Sequence, residues 1–100
     1  MDQQYKMDVK MITIRIPDLD WILTFDGVVL EIFYGDKNQR VHIYHIKNIQ
    51  IVTDRKGKRS LRISAARLVI PDLSYDEQFD KQVNDFVVQV QQAISAFRFE

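Results

Sequence analysis

The sequence predicts a mainly β fold with one helix: a curled antiparallel sheet, or partly open barrel, of seven strands capped by a C-terminal amphipathic helix. From Met7 to Ile70, apolar residues recur with a period of two and turn residues interrupt them at short intervals, as in a meander of antiparallel strands. From Pro71 onward the apolar period changes to that of a helix. The 100 residues, 46% hydrophobic and 28% charged, fit one folded domain over 1–100 without a repeat or linker.

The strands are predicted in chain order from alternation and turn chemistry. The first changes phase near Met11, which predicts a bulge there, and the turn 17–20 ends it at a proline. Asp26-Gly27 separates the second strand from the third, and a two-residue Asp-Gly loop is a strong signal for a tight hairpin. Polar segments separate the later strands, among them a short turn at 47–48. The predicted strands are 7–16, 21–25, 28–34, 40–46, 49–53, 60–65 and 68–70.

The predicted helix covers Tyr75 to Phe97. Ser74 followed three residues later by Glu77 fits a capping box, which marks the start of a helix. The apolar residues gather in an arc about 120° wide, the width of one face packed on a core. They are Phe79, Val83, Phe86, Val87, Val90, Ala93, Ile94 and Phe97.

The composition excludes several classes of chemistry. Without cysteine the chain cannot form disulfides, thiolate zinc sites or thiol nucleophiles. The N-terminal residues lack the basic start and apolar run of a signal peptide, and no stretch approaches the roughly 20 apolar residues of a membrane span. We therefore expect a cytoplasmic protein. A formal net charge of zero gives no long-range attraction to nucleic acid, which we do not expect as a partner.

No residue pattern points to catalysis, so we expect neither an enzyme nor a cofactor or metal site. His42 and His45 are three residues apart on a predicted strand, so their side chains should point to opposite faces and cannot share a metal. The sequence has neither a glycine-rich phosphate loop nor a nucleophile elbow.

The clearest concentration of charge is a basic hairpin tip. Its residues are Arg55, Lys56, Lys58 and Arg59, continued by Arg62 and Arg67. These cations either keep a solvated sheet edge from aggregating or form a contact for an anionic head group, nucleic acid or an acidic protein surface. The acidic segment 72–80 could also neutralise them within the same molecule.

Seven antiparallel strands in meander order followed by one helix resemble the pleckstrin-homology (PH) superfold, in particular its small stand-alone bacterial members. The resemblance covers Met7 to Phe97 and rests on element order and on the segments 41–51 and 86–94. It implies a bent, partly open barrel with the helix plugging one end.

Two features depart from that superfold. The single tryptophan is Trp21 in the second strand rather than in the helix, so Phe86 or Val90 would fill the equivalent core space. The loop 17–20 is acidic where phosphoinositide-binding members carry a basic loop, so it would repel an inositol phosphate.

Three functions stay open. The leading hypothesis is a non-catalytic PH-like binding or scaffold module that recognises a protein partner or its own copies. It would do so by strand addition at a sheet edge or through the outer face of the helix, where Val88 is apolar. The alternative is peripheral binding of an anionic membrane or phosphorylated ligand through the basic hairpin 55–59. The third is a small apolar ligand carried between sheet and helix.

Overall fold

The computed structural model describes residues 11–15 and 20–98, with the backbone alone for Arg98. Within them the chain forms seven strands, one α-helix and two 3₁₀ turns. The strands are β1 Ile12–Arg15, β2 Trp21–Phe25, β3 Val29–Tyr34, β4 Lys37–His42, β5 Ile46–Thr53, β6 Arg59–Ala65 and β7 Leu73–Tyr75. The helix α1 is Asp80–Arg98, and the 3₁₀ turns are Ile43–His45 and Glu77–Phe79.

The described strands form two antiparallel sheets, one in the order β1-β2-β3-β4 and one in the order β5-β6-β7. A mainly β fold with a C-terminal helix is therefore confirmed. These strands do not make the one curled sheet of the prediction, nor a closed barrel. The break falls at the 3₁₀ turn Ile43–His45, where His42 Nδ1 accepts the N–H of Tyr44 at 3.0 Å and the chain leaves the first sheet.

Trp21 connects the two sheets. Its indole N–H donates to the carbonyl oxygen of Ser74 at 3.0 Å, which joins β2 to the outer edge of β7. The ring itself is buried. A buried Trp N–H needs an acceptor, and this bond supplies one while it holds the two sheets at a set separation.

The core lies between the two sheets and the apolar face of α1. Most of the predicted helix face is buried, including Phe86 and Val90. Phe79 and Ala93 are partly buried, and Phe97 is exposed at the end of the helix. The sheets contribute Ile14, Leu23, Phe25, Leu30, Ile32, Val41, Ile46, Ile49, Leu61 and Ile63.

Two predicted boundaries in the first sheet are wrong. The turn after β2 is wider than a two-residue loop, since Phe25 pairs with Leu30. Asp26 stabilises the wider turn because its Oδ1 accepts the N–H groups of Val28 and Val29 at 2.9 and 2.8 Å. The fourth strand was predicted at 40–46, but Gly35-Asp36 form a tight turn in which Gly35 has φ +60°, so β4 begins three residues earlier.

The second sheet corrects three further predictions. The segment 47–48 is not a turn but lies within β5, beside an irregularity in its pairing with β6. The last strand is not 68–70, where Leu68 makes only an isolated bridge to Ala65, but β7. Ser74 therefore lies in a strand rather than a capping box, and α1 starts at Asp80, because pairing with β6 outweighs the local capping signal.

The bulge predicted near Met11 and the turn at 17–20 fall largely on residues outside the described ranges. The part of the first predicted strand that is described pairs with β2 from Ile12 to Arg15. The second strand was predicted at its observed bounds.

Candidate functional site

The predicted basic site is largely neutralised by acidic residues of the same molecule. Arg62 binds Asp72 through two hydrogen bonds, of 3.1 and 2.9 Å. Arg59 forms an ion pair with Asp80 at the start of α1. Lys58 Nζ lies 3.9 Å from Asp76 Oδ1. Three of the five predicted cations between residues 55 and 62 are thus paired.

These pairs shift the titration of their acidic members. Arg62 hydrogen-bonds to Asp72 and holds the pKa of that carboxyl below its usual value. The pKa of Asp80 is also lowered, first by the hydrogen bond from the Tyr75 hydroxyl at 2.8 Å and then by Arg59. Burial and the same Asp80 bond raise the pKa of Tyr75. Asp80 is therefore held as a carboxylate between a phenol and a guanidinium.

The hairpin backbone offers no free anion nest. Asp54 Oδ1 accepts the N–H groups of Lys56 and Lys58 at 2.8 and 2.9 Å, and Gly57 N–H donates to the Asp54 carbonyl. Gly57 has φ +85°, which a side chain would strain. The donors at this tip that could cradle a phosphate are therefore occupied by the protein's own carboxylate and carbonyl.

Two cations at the hairpin tip have no ion-pair partner among the described residues. Arg55 and Lys56 are exposed and form no ion pair with the described residues. Lys56 lines a cleft of about 520 Å³ between the hairpin and the start of α1. The cleft also contains the carboxylates of Asp54, Asp76 and Glu77, so its charge is mixed rather than uniformly basic.

The edge of β5 is the site that sequence reasoning did not locate. In an antiparallel pair, residues alternate between facing the partner strand and facing away. Asp54 N–H bonds the Lys58 carbonyl at 3.0 Å, and Thr53 pairs with Arg59 in the next position. Counting back from that bond, the backbone groups of Thr53, Ile51 and Ile49 point away from β6, toward the edge on which no described strand pairs.

A contact from α1 supports this orientation independently. Gln91 Nε2 donates to the carbonyl oxygen of Ile49 at 2.7 Å. The side-chain amide occupies the place that a backbone N–H of an additional strand would take. The edge of β5 therefore faces α1, and one of its carbonyls is already bonded by a peptide-like group.

The helix supplies the second wall of this edge groove. One side of α1 carries Asn84, Val88 and Gln91, because residues three or four positions apart lie on the same side of a helix. Val88 is 39% exposed there, and Ile51 on β5 is partly buried. The β5–α1 groove, defined by Ile49, Ile51 and Thr53 on one side and by these helix residues on the other, thus combines backbone donors and acceptors with apolar surface.

The edges of β7 and β4 are less suited to an added strand. At β7, the outward carbonyl of Ser74 is bonded by Trp21. The exposed β4 edge carries Lys37 and Arg40, and charged side chains discourage strand pairing.

A cleft of about 200 Å³ lies between β1 and α1, where Ile12 and Phe86 meet polar residues such as Asp85.

The two histidines do not lie on one strand as predicted, because His45 is the last residue of the 3₁₀ turn that follows His42. His42 ends β4 and its ring packs against Phe97, while His45 packs against Tyr44. Within the ranges 11–15 and 20–98, no group of three or more His, Cys, Asp or Glu residues is placed to hold a metal ion. None of the described helices is long and apolar enough to cross a membrane.

No protein-family model, curated protein or solved structure matches this chain. The geometry of its own residues is therefore the basis for a functional proposal.

Proposed function

We propose that this chain is a non-catalytic binding module of PH-like architecture that takes an extended peptide segment of a protein partner on the edge of β5. The outward orientation of the backbone at Ile49, Ile51 and Thr53, facing α1, carries the proposal. Strand addition needs unpaired backbone groups on an edge and side-chain pockets beside it. Among the described residues, the β5–α1 groove offers edge backbone groups at Ile51 and Thr53 and apolar side chains at Ile51 and Val88.

The element order supports the PH-like description. A four-strand meander, a three-strand meander and a C-terminal helix follow one another in the chain. This order resembles the PH superfold, and the resemblance is proposed from topology alone. Because folds host many functions, the groove rather than the fold is the reason for proposing peptide binding.

The proposed binding mechanism follows from the two sides of the groove, the edge of β5 and the facing side of α1. The peptide backbone would pair with Ile51 and Thr53, and at Ile49 it would replace the amide of Gln91. Each such hydrogen bond contributes about 0.5–1.5 kcal/mol net, so apolar contacts with Ile51 and Val88 must add to them. We therefore expect ligands with β-branched or aromatic side chains at alternate positions.

The basic hairpin is the weaker candidate because three of its cations are paired within the molecule. Arg55 and Lys56 keep it as the alternative, a contact for an anionic lipid or phosphorylated ligand. A second copy of the chain is a further candidate occupant of the β5 edge. Light scattering separates self-association from binding of a foreign peptide.

The proposal is tested by selecting displayed random peptides, each about a dozen residues long, enough to span an eight-residue strand. Selected peptides should bind the wild type and should protect the amide hydrogens of Ile51 and Thr53 from exchange. Thr53→Pro removes an edge donor and should weaken binding about tenfold, whereas Arg55→Ala with Lys56→Ala should not. Protection that maps to another surface, or equal binding by Thr53→Pro, contradicts the proposal.

A further inference from the structure

Exposed apolar side chains are concentrated at one end of the molecule. Eight large hydrophobic residues are exposed in the described ranges. Phe33 lies on β3 and Val88 on the outer side of α1, away from this end. The other six define the apolar end: Met11, Val28, Tyr44, Leu68, Val69 and Phe97. Such clustering is unusual on a monomer and marks an interaction surface.

Hydrogen bonds and ring contacts bring these residues together. The N–H of Ile43 donates to the Val28 carbonyl at 2.7 Å, which joins the β2–β3 turn to the 3₁₀ turn. The Tyr44 ring lies edge-on to Phe97, with centroids 6.0 Å apart. Met11 precedes Ile12, whose partner Phe25 leads into the β2–β3 turn.

The turn after β6 protrudes from this end. It is anchored because Ala66 N–H donates to the His45 carbonyl at 3.0 Å and Leu68 bridges back to Ala65. Arg67 adopts φ +64°, a conformation uncommon for a residue with a side chain. Val69 is left 89% exposed, and Tyr44 on the neighbouring turn is 71% exposed. Two apolar tips are thus presented to solvent by ordered backbone.

Among the described residues, an exposed cation lies on each of the two chain segments that carry these tips. Lys47 and Arg67 are exposed cations next to these tips. In the β2–β3 turn at this end, the carboxylate of Asp26 accepts two backbone N–H groups, which lower its pKa. A second copy docked here about a twofold axis would bring cations of the same sign together, which disfavours self-association.

We propose that the apolar end docks on an anionic lipid surface. Val69 and Tyr44 enter the interfacial layer, where a phenol ring places its apolar body among the acyl chains and its hydroxyl in water. Lys47 and Arg67 contact the lipid phosphates. The apolar end shares no residue with the β5–α1 groove, so this proposal is independent of peptide binding there.

The proposal is tested with vesicles of phosphatidylcholine that contain about a quarter phosphatidylserine. This composition gives the vesicles a negative surface charge like that of a cytoplasmic membrane leaflet. The full chain should sediment with them at low salt and less in high salt. Val69→Asp with Tyr44→Ser should weaken vesicle binding at least about tenfold, because two apolar contacts are lost. Arg67→Asn tolerates the positive φ but loses the charge, and should weaken binding about fivefold.

Two control variants separate this surface from the others. Arg55→Ala with Lys56→Ala, and Val88→Asp, should bind vesicles like the wild type, and all variants should melt cooperatively. The proposal is overturned if the wild type does not sediment, or if Val69→Asp with Tyr44→Ser binds unchanged. It is also overturned if the hairpin variant alone abolishes binding, which assigns the membrane to the hairpin, or if light scattering shows a dimer that Val69→Asp dissociates.

Discussion

Proline substitution along β5 distinguishes the backbone N–H groups that donate to β6 from those that point to the opposite edge of the strand. Gln50 and Thr53 are both exposed, so their replacement removes little packing. By the alternation counted from the Asp54–Lys58 bond, Gln50 N–H points to β6 and Thr53 N–H points to the edge. Proline removes the N–H in either place, but only Gln50→Pro breaks the ladder.

The expected costs differ severalfold. Gln50→Pro loses one hydrogen bond, worth about 1 kcal/mol, and leaves the carbonyl of Arg62 without its donor, which costs about another 1–3 kcal/mol. We therefore expect a loss of about 2–4 kcal/mol in the free energy of unfolding. Thr53→Pro keeps the ladder and should change that free energy by less than about 1 kcal/mol.

Urea unfolding followed by the fluorescence of Trp21, the single tryptophan, measures both variants. With a slope of about 2 kcal/mol per molar, the middle of the usual range, Gln50→Pro should lower the midpoint by about 1–2 M, and Thr53→Pro by less than about 0.5 M. Equal destabilisation would mean that Thr53 N–H lies inside a ladder. The β5 edge would then face the other way, and the peptide-binding proposal would lose its main support.

Two further predictions concern the helix. Phe86→Ala should cost about 3–5 kcal/mol because it removes a buried core side chain, whereas Val88→Ala on the exposed side should change stability by less than about 0.5 kcal/mol; thermal melts compare the two, and similar losses would contradict the packing of α1. The pKa of Asp80 is lower in the folded state than the usual 3.8, so its contribution to stability is present above pH 4 and is lost as pH falls through the folded pKa. Asp80→Asn should therefore be less stable than the wild type at neutral pH and should vary less with pH between 4 and 2, and parallel pH curves of the urea midpoint would show that the Tyr75 and Arg59 contacts contribute nothing.

Much of the fold was predictable because its signals are local. The second strand, Trp21–Phe25, was predicted at its observed bounds, since strict alternation sits between two turn signals. The apolar arc of the helix was predicted for the same reason, and Phe86, Val87 and Val90 are buried as expected. The start of the helix was not, because Ser74 pairs with Ser60 across the β6–β7 ladder, a contact 14 residues distant that no capping pattern reveals.

The candidate site was only partly predictable. The basic residues were found from charge alone, and the acidic segment that could neutralise them was also noted. The sequence could not show which cations are paired, because the Arg62–Asp72 and Arg59–Asp80 contacts depend on the register of β6 with β7 and on where α1 begins. The β5–α1 groove was missed for a related reason, since the bond from Gln91 to Ile49 spans 42 residues.

The sequence by itself determined the class of molecule: alternating apolar residues set the strands, a period change set the helix, and both follow from side-chain directions that any chain must obey. Only the tertiary structure decided that the strands divide into two sheets, that β5 turns its free edge toward α1 and that six exposed apolar side chains share one end. These features depend on which distant residues meet when the apolar faces are buried together. That choice minimises the free energy of the whole chain and is not encoded in any short segment of it.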